Sequence, residues 1–400
     1  MNSASETVSR PVGARWAAVV TAMVFLVALN LRPALTSVGP LLPVFAPELG
    51  LNESAQGVLG GLPVLAFAAI SPFVYLMTRR IGMDRAVFAT LILLATGLLI
   101  RSYLGLSGMW AGTVIIGCAI GIGNVLVPTL VKRDYRTRVS KATGVYSACI
   151  TVAASVASAV AVPMSEWFGW QNALGFWAIP VVVVALLWLP RTRAGAGADD
   201  DGRLAVRPRS VWKQAVAWYA AIFMGLQSTT FYFMITWLPT VEIASGVGKQ
   251  QAGMHLFAYQ IVGIVSALSA PLLMRRQESQ VEATVITSVP MLLGLLGLLF
   301  VPQAGLIWAI VAGLGSGGSL AVALSIIGLR GRTNLETAKM SGMVQCFGYL
   351  MAALGPMLAG LLADRTGGWT AALIAMVVVC LLQLIIAVPA GRGRREASHS

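Results

Sequence analysis

Residues 16–47 read WAAVVTAMVFLVALNLRPALTSVGPLLPVFAP and contain one charge, Arg32. At a helical rise of about 1.5 Å per residue, this run outreaches the roughly 30 Å hydrocarbon layer of a bilayer. Arg32 stands close to its middle, where a cation is costly, and Pro33 removes a backbone donor beside it. The run therefore reads as a membrane-spanning helix that carries a charge for a purpose.

The rest of the chain supports the same class. Of its 400 residues, 57% are hydrophobic and 11% charged, with mean hydropathy +0.81. A soluble globule carries about twice that share of charge. Apolar runs of about 20 residues recur along the sequence, whereas outer-membrane barrels alternate polar and apolar positions in short segments. Breaks at charges, Pro/Gly clusters and polar turns give twelve spans, near 15–46, 55–77, 86–104, 108–131, 142–163, 170–190, 214–238, 250–274, 282–301, 304–328, 338–362 and 369–389. The expected fold is an all-α integral membrane protein of two six-helix bundles.

Orientation follows from the basic residues. Of the 28, 24 fall in the tails, the linker and alternate loops, all on one side, and only Lys249 and Arg365 fall opposite. By the positive-inside rule both termini are cytoplasmic, and the net charge of +13 has this source, so no nucleic-acid partner is expected. Cys118, Cys149, Cys346 and Cys380 lie in apolar runs without metal spacing and are expected to be buried thiols. No cofactor is expected. The polar stretch 191–213, rich in Gly, Ala and Asp, reads as a cytoplasmic linker between bundles at 1–190 and 214–400.

The halves echo each other. KATGVYSACI (141–150) and KMSGMVQCFG (339–348) each follow a basic loop, and each precedes a Gly-Trp pair, Gly169-Trp170 and Gly368-Trp369. Glycine-rich helices, GCAIGIGN (117–124) and GLGSGGS (313–319), come before them, where close helix packing is expected. One six-helix unit used twice in parallel is the architecture of a transporter that rocks about a central site.

On these residues the chain resembles the major facilitator superfamily, and within it the cyanate and 2-nitroimidazole transporter branch of bacterial inner-membrane carriers. The resemblance is carried by NLRPALTSVGPLLP (30–43), GLPVLAFAAISP (61–72), GIGNVLVPTLVKRD (121–134), ATGVYS (142–147) and SGMVQCFGYLMAALGP (341–356). It implies alternating access, lipid-embedded spans, an expected monomer, and a cavity faced by helices 1, 4, 7, 10 and 2, 5, 8, 11. The superfamily's gating loop between helices two and three usually reads Asp-Arg-x-Gly. Here it reads Arg79-Arg80-Ile81-Gly82-Met83-Asp84-Arg85, so Arg80, Gly82 and Arg85 are the surviving matches.

All fifteen acidic residues lie in tails, loops or end turns, so none is placed to pair with Arg32 at mid-depth. Two readings of Arg32 follow: it binds a small anionic or dipolar substrate, or it is a structural arginine held by carbonyls near Pro33 and by Asn30 or Thr36. Thr36 shares the face of Arg32, with Asn30 and Ser37 on an adjacent one. Asn124, Tyr146, Gln227, Thr230, Tyr259, Gln260, Gln345 and Tyr349 are further cavity candidates, each with a helix–helix hydrogen bond as the alternative. Arg101, near the outer end of helix three, can snorkel to the surface, with a substrate role as the lesser alternative. With no mid-depth carboxylate, proton coupling falls to His255 or Glu242, or is absent, the alternative for both being a solvated helix end. No nucleophile and base stand together, which argues against an enzyme. A secondary transporter of a small anion or polar solute is the leading reading, and a drug-efflux carrier of the same fold the alternative.

Overall fold

The computed structural model describes residues 22–135, 139–193, 211–274, 279–330 and 334–392. Twelve spans cross it. Helix α1 comprises Ala22–Thr36 and Val38–Glu48, bent by 41°. Helix α2 runs over Glu53–Ile70 and continues through a tight turn into Val74–Ile81. Next come α3 (Met83–Tyr103), α4 (Gly105–Asp134), α5 (Val139–Phe168) and α6 (Trp170–Gly175 with Ala178–Arg193). The second half holds α7 (Ala215–Ala244), α8 (Lys249–Leu273), α9 (Val281–Phe300), α10 (Gly305–Arg330), α11 (Asn334–Thr366) and α12 (Thr370–Gly391). The twelve expected spans are all present. Most of the expected linker, 194–210, and the distal tails lie outside the described residues, and the 191–213 boundary shifts because α6 continues to Arg193. The four cysteines are free, but only Cys380 is fully buried; the other three keep partial exposure, a departure from the sequence expectation.

The parallel repeat shows in the packing. Gly117 of α4 lies so close to Pro63 and Ala66 of α2 that a side chain there would collide with them. In the second half, Gly317 of α10 meets Gly263 of α8 in the same way. Small residues give two apolar helices in lipid their close approach, because no hydrophobic force drives them together. Across the halves, α2 packs on α11 and α5 on α8, the two contacts that a pseudo-two-fold axis exchanges, and α1 packs on α7.

These cross-half contacts concentrate at the end poor in Lys and Arg. A Cβ on Gly57 (α2) would stand 2.5 Å from the Pro356 carbonyl oxygen of α11, and Gly39 (α1) abuts the Ile235 carbonyl of α7. Asn52 and Ser54 donate to the Asp364 carboxylate across the same end, at 3.0 and 2.6 Å. Deeper, Gln260 Nε2 of α8 donates to Ser158 Oγ of α5 at 2.7 Å. Towards the basic end the halves part. Ser155, Ala157 and Ser158 of α5 are fully buried, yet Thr143, Val145 and Ser147 of the same helix are exposed, and among the described residues a Cβ on Gly144 or Gly342 would meet no other element within 4 Å. Among the described residues the close contacts between the halves gather at the end poor in Lys and Arg.

At the basic end the first half is tied by a charge network. Arg133 holds Asp84 through both terminal nitrogens, at 2.9 and 3.0 Å, and Asp134 through Nε at 2.8 Å. Arg191 reaches Asp84 and Asp134, each at 2.8 Å, and lies over the Trp188 ring. Helices α3, α4 and α6 are thereby joined. Gly82 (φ +80°) makes the turn before α3, and Arg85 reaches the Thr192 carbonyl at 3.5 Å. Asp84→Asn is expected to lower stability by about 1–2 kcal/mol, since it leaves two guanidiniums sharing one acid. A fall in the detergent melting temperature, absent in Asp364→Asn, checks this.

Candidate functional site

The site begins at the break in α1. Pro33 occupies the first position of the segment Pro33–Thr36, where its missing N–H costs nothing, and Arg32 is the residue that caps it (φ −107°, ψ −32°). The Arg32 carbonyl accepts from Leu35 N (2.9 Å) and Thr36 N (3.1 Å), so its backbone is satisfied and its side chain is free to reach across. Nη1 donates to the Tyr232 hydroxyl of α7 at 3.1 Å, a bond between the two halves. Tyr146 of α5 and Tyr349 of α11 stand within electrostatic reach of the guanidinium. Tyr349 sets its ring edge-on to Phe67 at 5.8 Å. Arg32 keeps partial exposure because it opens onto a cavity of ≈ 30 Å³ that Thr36, Thr113, Arg101, Tyr232 and Thr236 also line, with apolar neighbours. Among the described residues no carboxylate lines it.

The other sequence candidates divide. Thr36 is buried on the cavity wall, its hydroxyl 3.0 Å from the Ala154 carbonyl of α5. Asn30 turns back to the Leu26 carbonyl (2.8 Å) and Ser37 to that of Pro33 (2.7 Å), so neither lines the cavity. Gln227 donates to Ser228, Thr230 to the Gln227 carbonyl, and Gln345 to Ser341. Gln260 is spent on Ser158, and Tyr259 is buried in a core cluster to which both halves contribute. Asn124 is half-buried, its amide nitrogen without a partner among the described residues.

Comparison with known proteins decides the family. The pattern of the Major Facilitator Superfamily matches residues 20–332. The chain belongs to that superfamily. Two Escherichia coli K12 facilitators resemble it over most of their length. The 2-nitroimidazole transporter is 35% identical over 377 residues, 94% of this chain and 96% of that one. The cyanate transport protein is 28% identical over 349 residues, 86% and 90% of the two chains. Among solved structures, a bacterial homolog of the human lysosomal transporter Spinster superimposes with TM-score 0.76 at 14% identity, covering 96% of this chain and 98% of its own, which supports the fold. The chain is thus a multi-pass membrane transporter of the facilitator type.

Two side chains of this facilitator depart from their sequence reading. Arg101 does not snorkel: it is 1% exposed, and Nη1 donates to the Ala34 carbonyl of α1 at 2.6 Å. The bend in α1 brings that carbonyl within reach, which sequence position could not reveal. Glu242 is not a solvated helix end. It is 1% exposed, with both carboxylate oxygens 3.0 Å from His255 Nδ1. Tyr232 escaped the sequence reading because its partner lies 200 positions away. Within FYFMITW it looks like any lipid-facing or core aromatic. Asp84 escaped because it stands beyond Gly82 rather than before Arg80, although the pair Arg133-Asp134 at the end of α4 was a visible partner.

Proposed function

We propose that this facilitator carries a small, planar, anionic or strongly dipolar solute, of the size of cyanate, a small carboxylate or a nitroimidazole, and that Arg32 binds it. The observation that supports this is a guanidinium at a helix break, opening onto a cavity between the halves that no carboxylate lines among the described residues. Tyr146, Tyr232 and Tyr349, each from a different helix, suit a flat π system beside that charge. The bodies that rock are the two six-helix bundles, the first extending to Arg193 and the second beginning near Ala215, working as a monomer. The distribution of Lys and Arg supports a basic end and both termini in the bacterial cytoplasm, with the tight contacts between the halves on the outer side. A thermal-shift screen of purified protein with sodium cyanate, 2-nitroimidazole and sodium 4-hydroxybenzoate tests the reading. Stabilisation of wild type but not Arg32→Ala supports it; stabilisation of both by lipophilic cations supports the drug-efflux alternative.

For coupling, the proposal is the Glu242–His255 pair, a buried carboxylate facing a partly exposed imidazole in the second half. Glu242→Gln keeps the shape and removes the ionisable acid. It is expected to bind cargo within about threefold of wild type while losing the response of uptake to an imposed pH gradient in proteoliposomes. An unchanged gradient response sinks the coupling role and leaves the cargo assignment intact.

A further inference from the structure

We propose that Arg101 is a second anion-binding group of the same cavity, so that the charged head of the cargo is held between two guanidiniums, one from α1 and one from α3. This deepens the reading of Arg32 and rests on it. Arg101 is 1% exposed and lines the cavity with Arg32. One nitrogen, Nη1, is spent on the Ala34 carbonyl; Nε and Nη2 have no acceptor among the described residues. A buried guanidinium with two of its nitrogens unanswered is costly, and it is retained where a ligand answers them during the working cycle.

Around the cavity the Thr36 and Thr113 hydroxyls spend their protons on backbone carbonyls, which leaves the Arg101 guanidinium with the unanswered donors. Thr113 donates to the Met109 carbonyl (2.6 Å), and Thr36 donates towards Ala154. The Tyr232 oxygen already accepts from Arg32. The wall therefore offers two cations and no free carboxylate among the described residues, and the complementary group is a compact anion with at least two acceptor atoms, such as a carboxylate or cyanate. A volume of ≈ 30 Å³ admits such a head and excludes a ring. The ring of an arylcarboxylate then lies beside Tyr146 and Tyr349, which stand near Arg32 but outside this cavity. Gly112 of α4 packs against the Arg101 backbone, which fixes the root of the side chain.

The test is calorimetric titration of the full chain with sodium cyanate, sodium 4-hydroxybenzoate and the neutral 4-hydroxybenzamide. Arg101→Gln keeps a donor for Ala34 and removes the charge. It is expected to weaken both anions at least about tenfold while leaving the amide unchanged. Arg101→Lys keeps the charge but lacks the fork, and is expected to weaken the anions about three- to tenfold. Wild-type anion affinity in either variant, with Arg32→Gln still impaired, overturns the role of Arg101 and spares that of Arg32. An equal loss for anions and amide assigns Arg101 to structure alone and overturns it too. If Arg101→Gln is not monodisperse, Arg101→Lys decides on the same criteria. Wild-type protein that prefers neither anion to the amide overturns both readings together.

Discussion

Arg32→Ala and Arg32→Lys are each expected to lose cargo affinity by at least about 30-fold, the lower end of what removing one partner of a desolvated charge pair costs. Alanine removes the cation outright. Lysine keeps a charge but cannot present the planar fork that a carboxylate or cyanate meets with two bonds, nor hold Tyr232 at the same time. The same substitutions separate the two readings of this arginine in the absence of cargo. A structural arginine, once removed, leaves the bend unsupported and lowers the melting temperature. A binding arginine is a cation held at mid-membrane against its own solvation, so its removal leaves the empty protein as stable as before or more so. The backbone favours the second outcome, because the Arg32 carbonyl is already bonded to Leu35 and Thr36 and Pro33 sits where a proline is tolerated. Calorimetric titration for affinity and a melting curve without ligand measure the two quantities on one preparation.

The second large effect belongs to the seal. Gly57→Val is expected to abolish transport while leaving the protein inserted, because a Cβ there would stand 2.5 Å from the Pro356 carbonyl oxygen, and a backbone atom cannot step aside as a side chain can. Overpacking of this kind costs about 1–3 kcal/mol, which tilts an equilibrium between two conformers by roughly 5- to 150-fold. The penalty falls only on the form whose end is shut, so the open form of that end gains population. Nitroxides placed on Leu51→Cys and Arg365→Cys, one in each half beside the seal, report this directly. Their separation should lengthen in Gly57→Val, and an unchanged distance with normal transport would show that α2 and α11 need not touch.

How much of this was legible in the sequence follows from what each residue needs in order to be recognised. The twelve spans needed only apolar length and the side on which arginines fall, and both are local properties of the chain. Arg32 was legible because a lone charge in an otherwise uncharged run, 16–47, is anomalous wherever the chain folds. Its partner Tyr232 was not, since an aromatic residue among FYFMITW violates nothing, and what distinguishes it is a contact with another half of the molecule. Arg101 was misplaced for the complementary reason. Near the end of a span, surface access and burial have the same sequence signature, and the bend in α1 that offers the Ala34 carbonyl is a tertiary fact. Asn30, Gln227 and Thr230 show the limit of counting polar residues at depth, because each donates within its own helix and none lines the cavity.

The seal of backbone against backbone also bears on how much current the molecule lets slip. A carrier sits across a membrane whose voltage and proton gradient the cell works to maintain, and any continuous file of water through it would discharge both. Where Gly57 meets Pro356 and Gly39 meets Ile235, main chains touch with no side chain between them, so a file of water has nowhere to thread. Such tightness depends on the smallest side chain at a few positions and hardly at all on the chemistry around them. The molecule can therefore change its cargo by altering tyrosines near the guanidinium without becoming a hole in the membrane it serves.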